Sequence, residues 1–234
     1  MLVKNVLISS GGCIEKWDNV RGHTNLAKGN IGKMIAEEFL ALGANVTYLH
    51  GYFTALPSNL EQQNLHLEPF EGIFELQDKM KHLILEKQID VVIMAAAGSD
   101  WVVDKMVNQE GQILSKKGKI TSDNPPIIHL KRAPKVLNQI KKWKPDVMLV
   151  GFKLESNLNK TELIERAVTR MNTSSADFMV ANYSDSLSTT GATHYIINKD
   201  QDICECISKE ETAKSIAIMI EKQFPLSENV INIY

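Results

Sequence analysis

Apolar and polar positions along this chain fall into runs of two kinds, and the two kinds alternate. "NVLIS" (5–9) is a continuous apolar run of strand length. "GKMIAEEFLALGA" (32–44) follows with apolar residues at Met34, Ile35, Phe39, Leu40 and Leu42, the stripe of a helix, and Gly43 is placed to close it. "NVTYLHG" (45–51) reads as the next strand, "LHLEPF" (65–70) as a short extended piece and "GIFELQDKMKHLILEK" (72–87) as a helix. "IDVVIMAAA" (89–97) is a third strong strand, and its unbroken apolar run suits a sheet covered on both faces. The pattern then lapses. Residues 98–126, "GSDWVVDKMVNQEGQILSKKGKITSDNPP", are polar, contain Gly and Lys and show little period. Loops of this length inside a domain are usually functional or mobile, so a flexible flap is expected over about 101–125.

Beyond it the alternation resumes. "IIHLKR" (127–132) looks extended, and "PKVLNQIKKW" (134–143) reads as a helix with Pro134 in its first turn. "DVMLVGF" (146–152) is a fourth strand, "NKTELIERAVTRMNTS" (159–174) a helix capped by Asn159 or Thr161, and "ADFMVANY" (176–183) a fifth strand. "ATHYIINKD" and "DICECISK" form a hairpin turning around Lys199 to Gln201, and "ETAKSIAIMIEKQF" is the last helix. Strands alternating with helices predict an α/β fold: a Rossmann-like, mostly parallel sheet flanked by helices, with right-handed crossovers. In such sheets ligands bind at the carboxyl ends of the strands. Small or polar turns follow four of these strands: "SSGG", "AAAGSD", "GFKLES" and "ANYSDS".

Composition narrows the picture. With 234 residues, 44 % of them hydrophobic, the chain supports one folded core, and a single domain over 1–234 is expected. A formal net charge of −2 argues against nucleic acid as a partner, which needs a broad basic surface. An anionic ligand must then be met by a local cluster of donors. Cys13, Cys204 and Cys206 are an odd number without framework spacing, which predicts a reduced, cytoplasmic protein. "CEC" puts two thiols on one strand face, with no further cysteines to complete a metal site. Gly11 and Gly12 cut the apolar opening too early for a signal peptide, and no stretch approaches the ~20 apolar residues of a membrane span.

Candidate chemistry gathers in the turns. Gly11 and Gly12 either form a tight turn or present N–H groups to a phosphate. In "VRGHTNLAKGNIGKMI" (20–35), Gly29 and Gly32 open a helix whose amides carry partial positive charge, and Arg21, His23, Asn25 and Lys28 precede it. Together these loops suit an anion or an activated acyl group. Asp100 at the mouth of the third strand is a turn residue or a ligand for Mg²⁺. Lys116, Lys117 and Lys119 are solvated or fold over a ligand. Phe152 packs into the core or against a base or ribose, Asn182 fixes a turn or reads a base edge, and Glu155 is structural or part of a cation network. His23, His50, His66, His129 and His194 have no ligand spacing, and no nucleophile–base set is compelling.

A nicotinamide oxidoreductase is the rival, but its G-x-G-x-x-G between strand and helix is missing. Tyr195 and Lys199 in "YIINK" mimic a dehydrogenase pair that requires a helix; on a strand they stand ~13 Å apart at ~3.3 Å per residue.

In order and spacing, these motifs resemble the phosphopantothenoylcysteine synthetase family over nearly the whole chain. "SSGGCIEKWDNVRGHTNLAKGNIG" is similar to its "GGT", "D-x-VR" and "TN-x-SSG-x-x-G" opening, "AAAGSDW" to its "AA-V-x-DY", "GKITSD…IIHLKRAPKVL" to its "KIK…L-V-K-x-PDIL", "LVGFKLES" to its "VGFAAET" and "ADFMVANY" to its "D-x-IVAND". The resemblance implies the monofunctional bacterial form and a two-step ligation. A nucleoside triphosphate, CTP in most bacteria, activates the carboxylate of 4′-phosphopantothenate as an acyl-nucleotidylate and releases pyrophosphate. The amine of cysteine then displaces the nucleoside monophosphate. By position, Asn25 matches the catalytic asparagine and Lys119 the flap lysine, with Lys117 the neighbouring alternative. Asp100 matches the aspartate tied to metal and nucleotide. Gly11, Gly12, Ala97, Phe152 and Asn182 match the nucleotide pocket, and Arg21, Lys28 and Gly29 flank Asn25 on the phosphopantothenate side. The family further implies Mg²⁺ and a homodimer, for which the mid-chain extended pieces and the hairpin are the candidate contacts. Lys28 stands where a small hydroxyl is usual and Tyr183 where an aspartate is, with Arg170 available to a triphosphate from its helix; CTP and ATP both stay open. A noncatalytic nucleotide-binding regulator is the remaining alternative.

Overall fold

The uninterrupted apolar runs become the inner strands of one eight-stranded sheet. The computed structural model describes residues 3–187 and 192–224. In chain order the elements are β1 (Asn5–Ser10), β2 (Ile14–Lys16), β3 (Gly22–Thr24), α1 (Asn30–Ala41), β4 (Asn45–His50), β5 (Leu65–Pro69), α2 (Ile73–Glu86) and β6 (Val91–Met94). They continue with β7 (Trp101–Val107), β8 (Ile127–Arg132), α3 (Leu137–Trp143), β9 (Met148–Glu155), α4 (Lys160–Ser174), β10 (Phe178–Tyr183), a 3₁₀ turn (Ser184–Leu187), β11 (His194–Asn198), β12 (Ile203–Cys206) and α5 (Lys209–Gln223).

The sheet runs β12-β11-β10-β9-β6-β1-β4-β5. It is parallel from β10 to β5, and β11 and β12 add an antiparallel edge. Strand order therefore reverses at β1: Ser9 pairs with Leu49 of β4 on one side and Met94 of β6 on the other. The chain first builds outward through β4 and β5, then returns to build through β6, β9 and β10. Connections leave in opposite directions at that point, which opens a crevice at the carboxyl ends of the strands. The expected Rossmann-like architecture is what the chain forms.

Both faces are covered, as the continuous apolar runs require. Along β1, Leu7 packs with Leu76, Met80 and Leu149 on the side of α2, α3 and α4, whereas Val6 and Ile8 pack with Ile35, Phe39 and Ile216 on the side of α1 and α5. Each such side chain contributes about 1.5–3 kcal/mol on full burial. Gly43, at φ 83°, ends α1 in the left-handed conformation that favours glycine. Of the two candidate caps of α4, Asn159 is the one used: its side chain accepts from Glu162 N (3.0 Å), and Glu162 Oε2 accepts in return from Asn159 N (3.0 Å).

Two expectations need correction. The stretch from 101 does not begin as an irregular flap, because residues 101–107 are β7, paired antiparallel with β8 from Trp101↔Arg132 to Val107↔Ile127. A register shift between Val103 and Lys105 leaves two buried couples, Val102–Val103 and Met106–Val107, in place of alternation, so the period of two is lost. Only 108–126 is loop. Pro134 is not in the first turn of α3, which starts at Leu137. The β7–β8 pairing reaches Ala133, whose N–H bonds Asp100 O (2.9 Å), and residues 134–136 are spent on the bend into the helix. The hairpin β2–β3, Ile14↔Thr24 to Lys16↔Gly22, was not expected at all within what read as a loop.

Candidate active site

The crevice at the strand reversal is a cavity of about 560 Å³. Its walls are the segment 25–31 entering α1, the tail of β6 from Met94 to Asp100, residues 134–137 entering α3, and Phe152–Leu154 of β9. Arg170 reaches it from α4, and Asn182, Ser186, His194 and Lys209 close its far end.

Asn25 stands at the mouth. Its Nδ2 donates to Ala97 O (3.1 Å) and Gly98 O (3.2 Å), so both amide protons are directed at the tail of β6 and Oδ1 is left as the acceptor of this exposed side chain. Gly29, at φ 75°, turns the chain into α1, where an added Cβ would lie 2.7 Å from Ser10 Oγ. The turn brings the first amides of α1 to the cavity wall, favourable to negative charge. Asp100 is ion-paired with Lys135. Burial holds the Arg170 guanidinium below its usual range, and the charge of Asp100 opposes that shift. Five cations, Lys28, Lys135, Lys153, Arg170 and Lys209, thus line the cavity against one carboxylate, Asp100.

The far end is polar and buried. Asn182 Nδ2 donates to Ser186 Oγ (2.7 Å). Burial, reinforced by the charge of Lys209, pushes His194 down to about 4, so its ring is neutral at pH 7. Thr212 Oγ1 donates its single proton to Ser208 O (2.7 Å) and must therefore accept from His194 Nδ1–H (2.7 Å), which leaves Nε2 with a lone pair. Burial likewise lowers Lys209, which is 6 % exposed.

Of the residues singled out in the sequence, Asn25, Lys28, Gly29, Ala97, Asp100, Phe152 and Asn182 meet in this cavity. Gly11, Gly12, Arg21, Lys117 and Lys119 do not line it. Gly11 and Gly12 lie where chain segments cross: a Cβ on Gly11 would be 1.7 Å from Thr54 Oγ1, and one on Gly12 would be 2.7 Å from Asn25 O. Their backbone is tied to the tail of β6 through Cys13 N to Ala97 O (3.3 Å) and Ala97 N to Gly11 O (2.8 Å). Arg21 donates to Ile120 O (2.6 Å), and Lys119 beside it is exposed. Lys135, Lys153, Ser186, His194 and Lys209 were not picked out as ligand groups. Lys153 and Ser186 stood in strand-end turns already noted, "GFKLES" and "ANYSDS", but nothing local distinguishes the others from surface or core residues.

Asp100 is the one carboxylate on the wall, and among the described residues no group of three or more His, Cys, Asp or Glu is placed to hold a metal. One hard oxygen donor fits a Mg²⁺ shared with ligand phosphates rather than an all-protein cage. Tyr195 is a buried strand residue under Lys160 Nζ (4.6 Å from the ring centre), and Lys199 pairs with Asp177, so the two form no catalytic pair. Among the described residues no helix is long and apolar enough to cross a membrane.

A model of the DNA/pantothenate metabolism flavoprotein C-terminal domain matches residues 1–224. The coenzyme A biosynthesis bifunctional protein CoaBC of Thermococcus kodakarensis is 34 % identical over 180 residues, 76 % of this chain and 41 % of that protein. The chain thus spans about two fifths of the length of that relative. The crystal structure of the C-terminal domain of a CoaBC protein is 26 % identical, with a TM-score of 0.70 over 94 % of this chain and 96 % of that one. A DNA/pantothenate metabolism flavoprotein from Streptococcus pneumoniae, 24 % identical, shares the fold at a TM-score of 0.84 over 94 % and 99 %.

Proposed function

The chain belongs to the DNA/pantothenate metabolism flavoprotein C-terminal domain family, and on that premise we propose that it is a cytoplasmic ligase that joins 4′-phosphopantothenate to L-cysteine in coenzyme A biosynthesis. The observation that carries this reading is the cavity wall: five cations and one carboxylate around a space of about 560 Å³, with Asn25 fixed at its mouth. Such a wall suits two polyanions brought together, a phosphorylated acid and a nucleoside triphosphate.

In the first step a carboxylate oxygen of phosphopantothenate attacks the α-phosphorus of CTP or ATP. The bond to the β-phosphate oxygen breaks and pyrophosphate leaves. Both partners are negative, so the barrier falls only where charge is neutralised in advance. Lys28 and Arg170 supply that field together with Lys135 and Lys153, which are paired with Asp100 and Glu155, and the amides at the start of α1 add to it. Asp100 would hold Mg²⁺, which supplies charge neutralisation at phosphate oxygens when bound. Phe152 and Asn182 face the base and ribose. In the second step the cysteine amine attacks the acyl carbon, the nucleoside monophosphate leaves with the acyl oxygen, and the amine's proton passes to solvent. Backbone amides orient the acyl carbonyl, while Asn25 Oδ1 accepts from an N–H of the bound intermediate or of the incoming amine. Lys119 serves the first step when its loop lies over the bound nucleotide, where it also excludes water from the labile mixed anhydride.

A homodimer fits the same reading. The two-stranded sheet of β7 and β8 leaves Trp101, Ile127 and Leu130 exposed on one small element. Light scattering on the purified protein tests it.

The deciding assay combines purified protein, phosphopantothenate, cysteine, Mg²⁺ and each nucleotide in turn. We expect pyrophosphate with CMP or AMP, and pyrophosphate release without cysteine. Activation that never occurs without cysteine, for any nucleotide, would overturn the mechanism. Nucleotide binding without turnover would point instead to a regulator.

A further inference from the structure

The hairpin β2–β3 carries no candidate reacting group, yet it touches three separate elements. Glu15 Oε1 accepts from Ile73 N (2.9 Å) at the start of α2. Trp17 Nε1 donates to His23 Nδ1 (3.1 Å), which makes Nε2 the protonated nitrogen, and Nε2 donates to Trp101 O (3.2 Å) at the start of β7. The third contact is made by Asp18, at the hairpin turn and 2 % exposed. Its Oδ1 accepts from Val20 N (2.8 Å) and Arg21 N (2.7 Å), which fixes the turn. Its Oδ2 accepts from Ile120 N (3.0 Å), about a hundred residues away in sequence. Two further bonds run the same way: Arg21 to Ile120 O (2.6 Å) and Asn19 N to Gly118 O (3.0 Å). The loop is thus gripped on both sides of Lys119, while β3, which ends at Thr24, leads directly into Asn25.

We propose that Asp18 is a positioning residue for the reaction: its carboxylate fixes the 118–120 backbone to the turn that feeds Asn25, so that Lys119 and Asn25 are set relative to each other by one short hairpin. This rests on the ligase reading above. It explains a buried carboxylate that serves no core and no cavity. A carboxylate suits the task because it accepts from three backbone N–H groups at once, whereas an amide has a single acceptor oxygen.

The test compares wild type with Asp18→Asn and Ile120→Pro. The first keeps an acceptor for the turn but opposes an NH₂ to Ile120 N. The second removes the Ile120 N–H and leaves Asp18 and its turn intact, so it stands if the first fails to fold. Trypsin cleavage after Lys116 and Lys117, timed by mass spectrometry, should accelerate about ten-fold in both, as loss of a charge-assisted bond allows; cleavage after Lys119 is read in Asp18→Asn alone, because trypsin does not cut the Lys–Pro bond that Ile120→Pro creates. Pyrophosphate release should fall about 10–100-fold in kcat, with the KM for phosphopantothenate unchanged, as misplacement of a reacting group predicts. A merely structural role would lower the melting temperature and leave that split absent. Unchanged cleavage in both variants overturns the proposal, as does faster cleavage with undiminished kcat. If wild type releases no pyrophosphate from any nucleotide, the ligase reading falls and the positioning role with it, although accelerated cleavage would still show Asp18 holding the loop.

Discussion

The cavity wall and the Lys119 loop hold their candidate residues by different means. On the wall, Ala97 follows β6, and Phe152 and Asn182 lie within β9 and β10, strands whose preceding residues are fully buried, so the sheet that makes the core also fixes the site. Asn25 shares in this because its side chain is bonded to the tail of β6. The 108–126 loop has no such backing. It hangs from β7 and β8, outside the main sheet, and meets the rest of the site through Asp18, Asn19 and Arg21. A wall set by apolar packing resists polar substitutions elsewhere, whereas a loop set by a few polar bonds depends on each of them.

The largest effect should come from the wall. In Asn25→Asp a carboxylate would face the carbonyls of Ala97 and Gly98 in place of two donors. The side chain should turn away from them, and we expect amide formation to fall at least about 10²-fold, the cost of a misplaced group, with the melting temperature little changed; quench-flow with labelled nucleotide checks whether an acyl intermediate accumulates. Lys119→Gln should slow pyrophosphate release by up to about 10²-fold while leaving nucleotide binding by calorimetry nearly intact. Equal loss of binding would mean that the loop is part of the wall, and the contrast would fail.

A scaffold substitution should do the reverse. Asp177 accepts from Leu149 N (2.7 Å) and pairs with Lys141 and Lys199, which ties β9, α3 and the β11–β12 turn together. Burial alone would raise its carboxyl, but the two lysines and the Leu149 N–H outweigh that and hold it below the usual range. Asp177→Asn should cost on the order of 2 kcal/mol in urea melts without altering loop cleavage. Because the folded value is depressed, the contribution of Asp177 is present above the unfolded value of about 3.9 and is lost as pH falls through the folded value. The wild type should therefore lose stability more steeply than the variant below about pH 4. Smallest, Asn159→Ala removes the cap of α4 and should lower stability by about 1 kcal/mol, with kcat unchanged although Arg170 of the same helix lines the cavity.

The same contrast explains what the sequence disclosed. The central strands were legible because they are buried on both faces, and the site's location followed from the turns at their ends. β7 was not, because the irregularity at Asp104 breaks its alternation, and β2 and β3 were not, because "IEK" and "GHT" are too short and polar to show a period. Lys135 and Lys209 were missed because their shared cavity exists only after distant elements pack; Lys209 reads locally as a solvated residue beside the Ser208 cap. Gly11 and Gly12 present the opposite difficulty. A glycine that admits a ligand and one that admits another strand of chain look alike in one dimension, and here the neighbours are Thr54 and Asn25.

That crossing has a consequence for length. With less than a methyl group's clearance at Gly11 and Gly12, the segments through Asn25 and Thr54 are gauged against the same two residues. Neither can gain or lose a residue near the crossing without displacing the other, so single insertions beside Asn25 or Thr54 should not be tolerated.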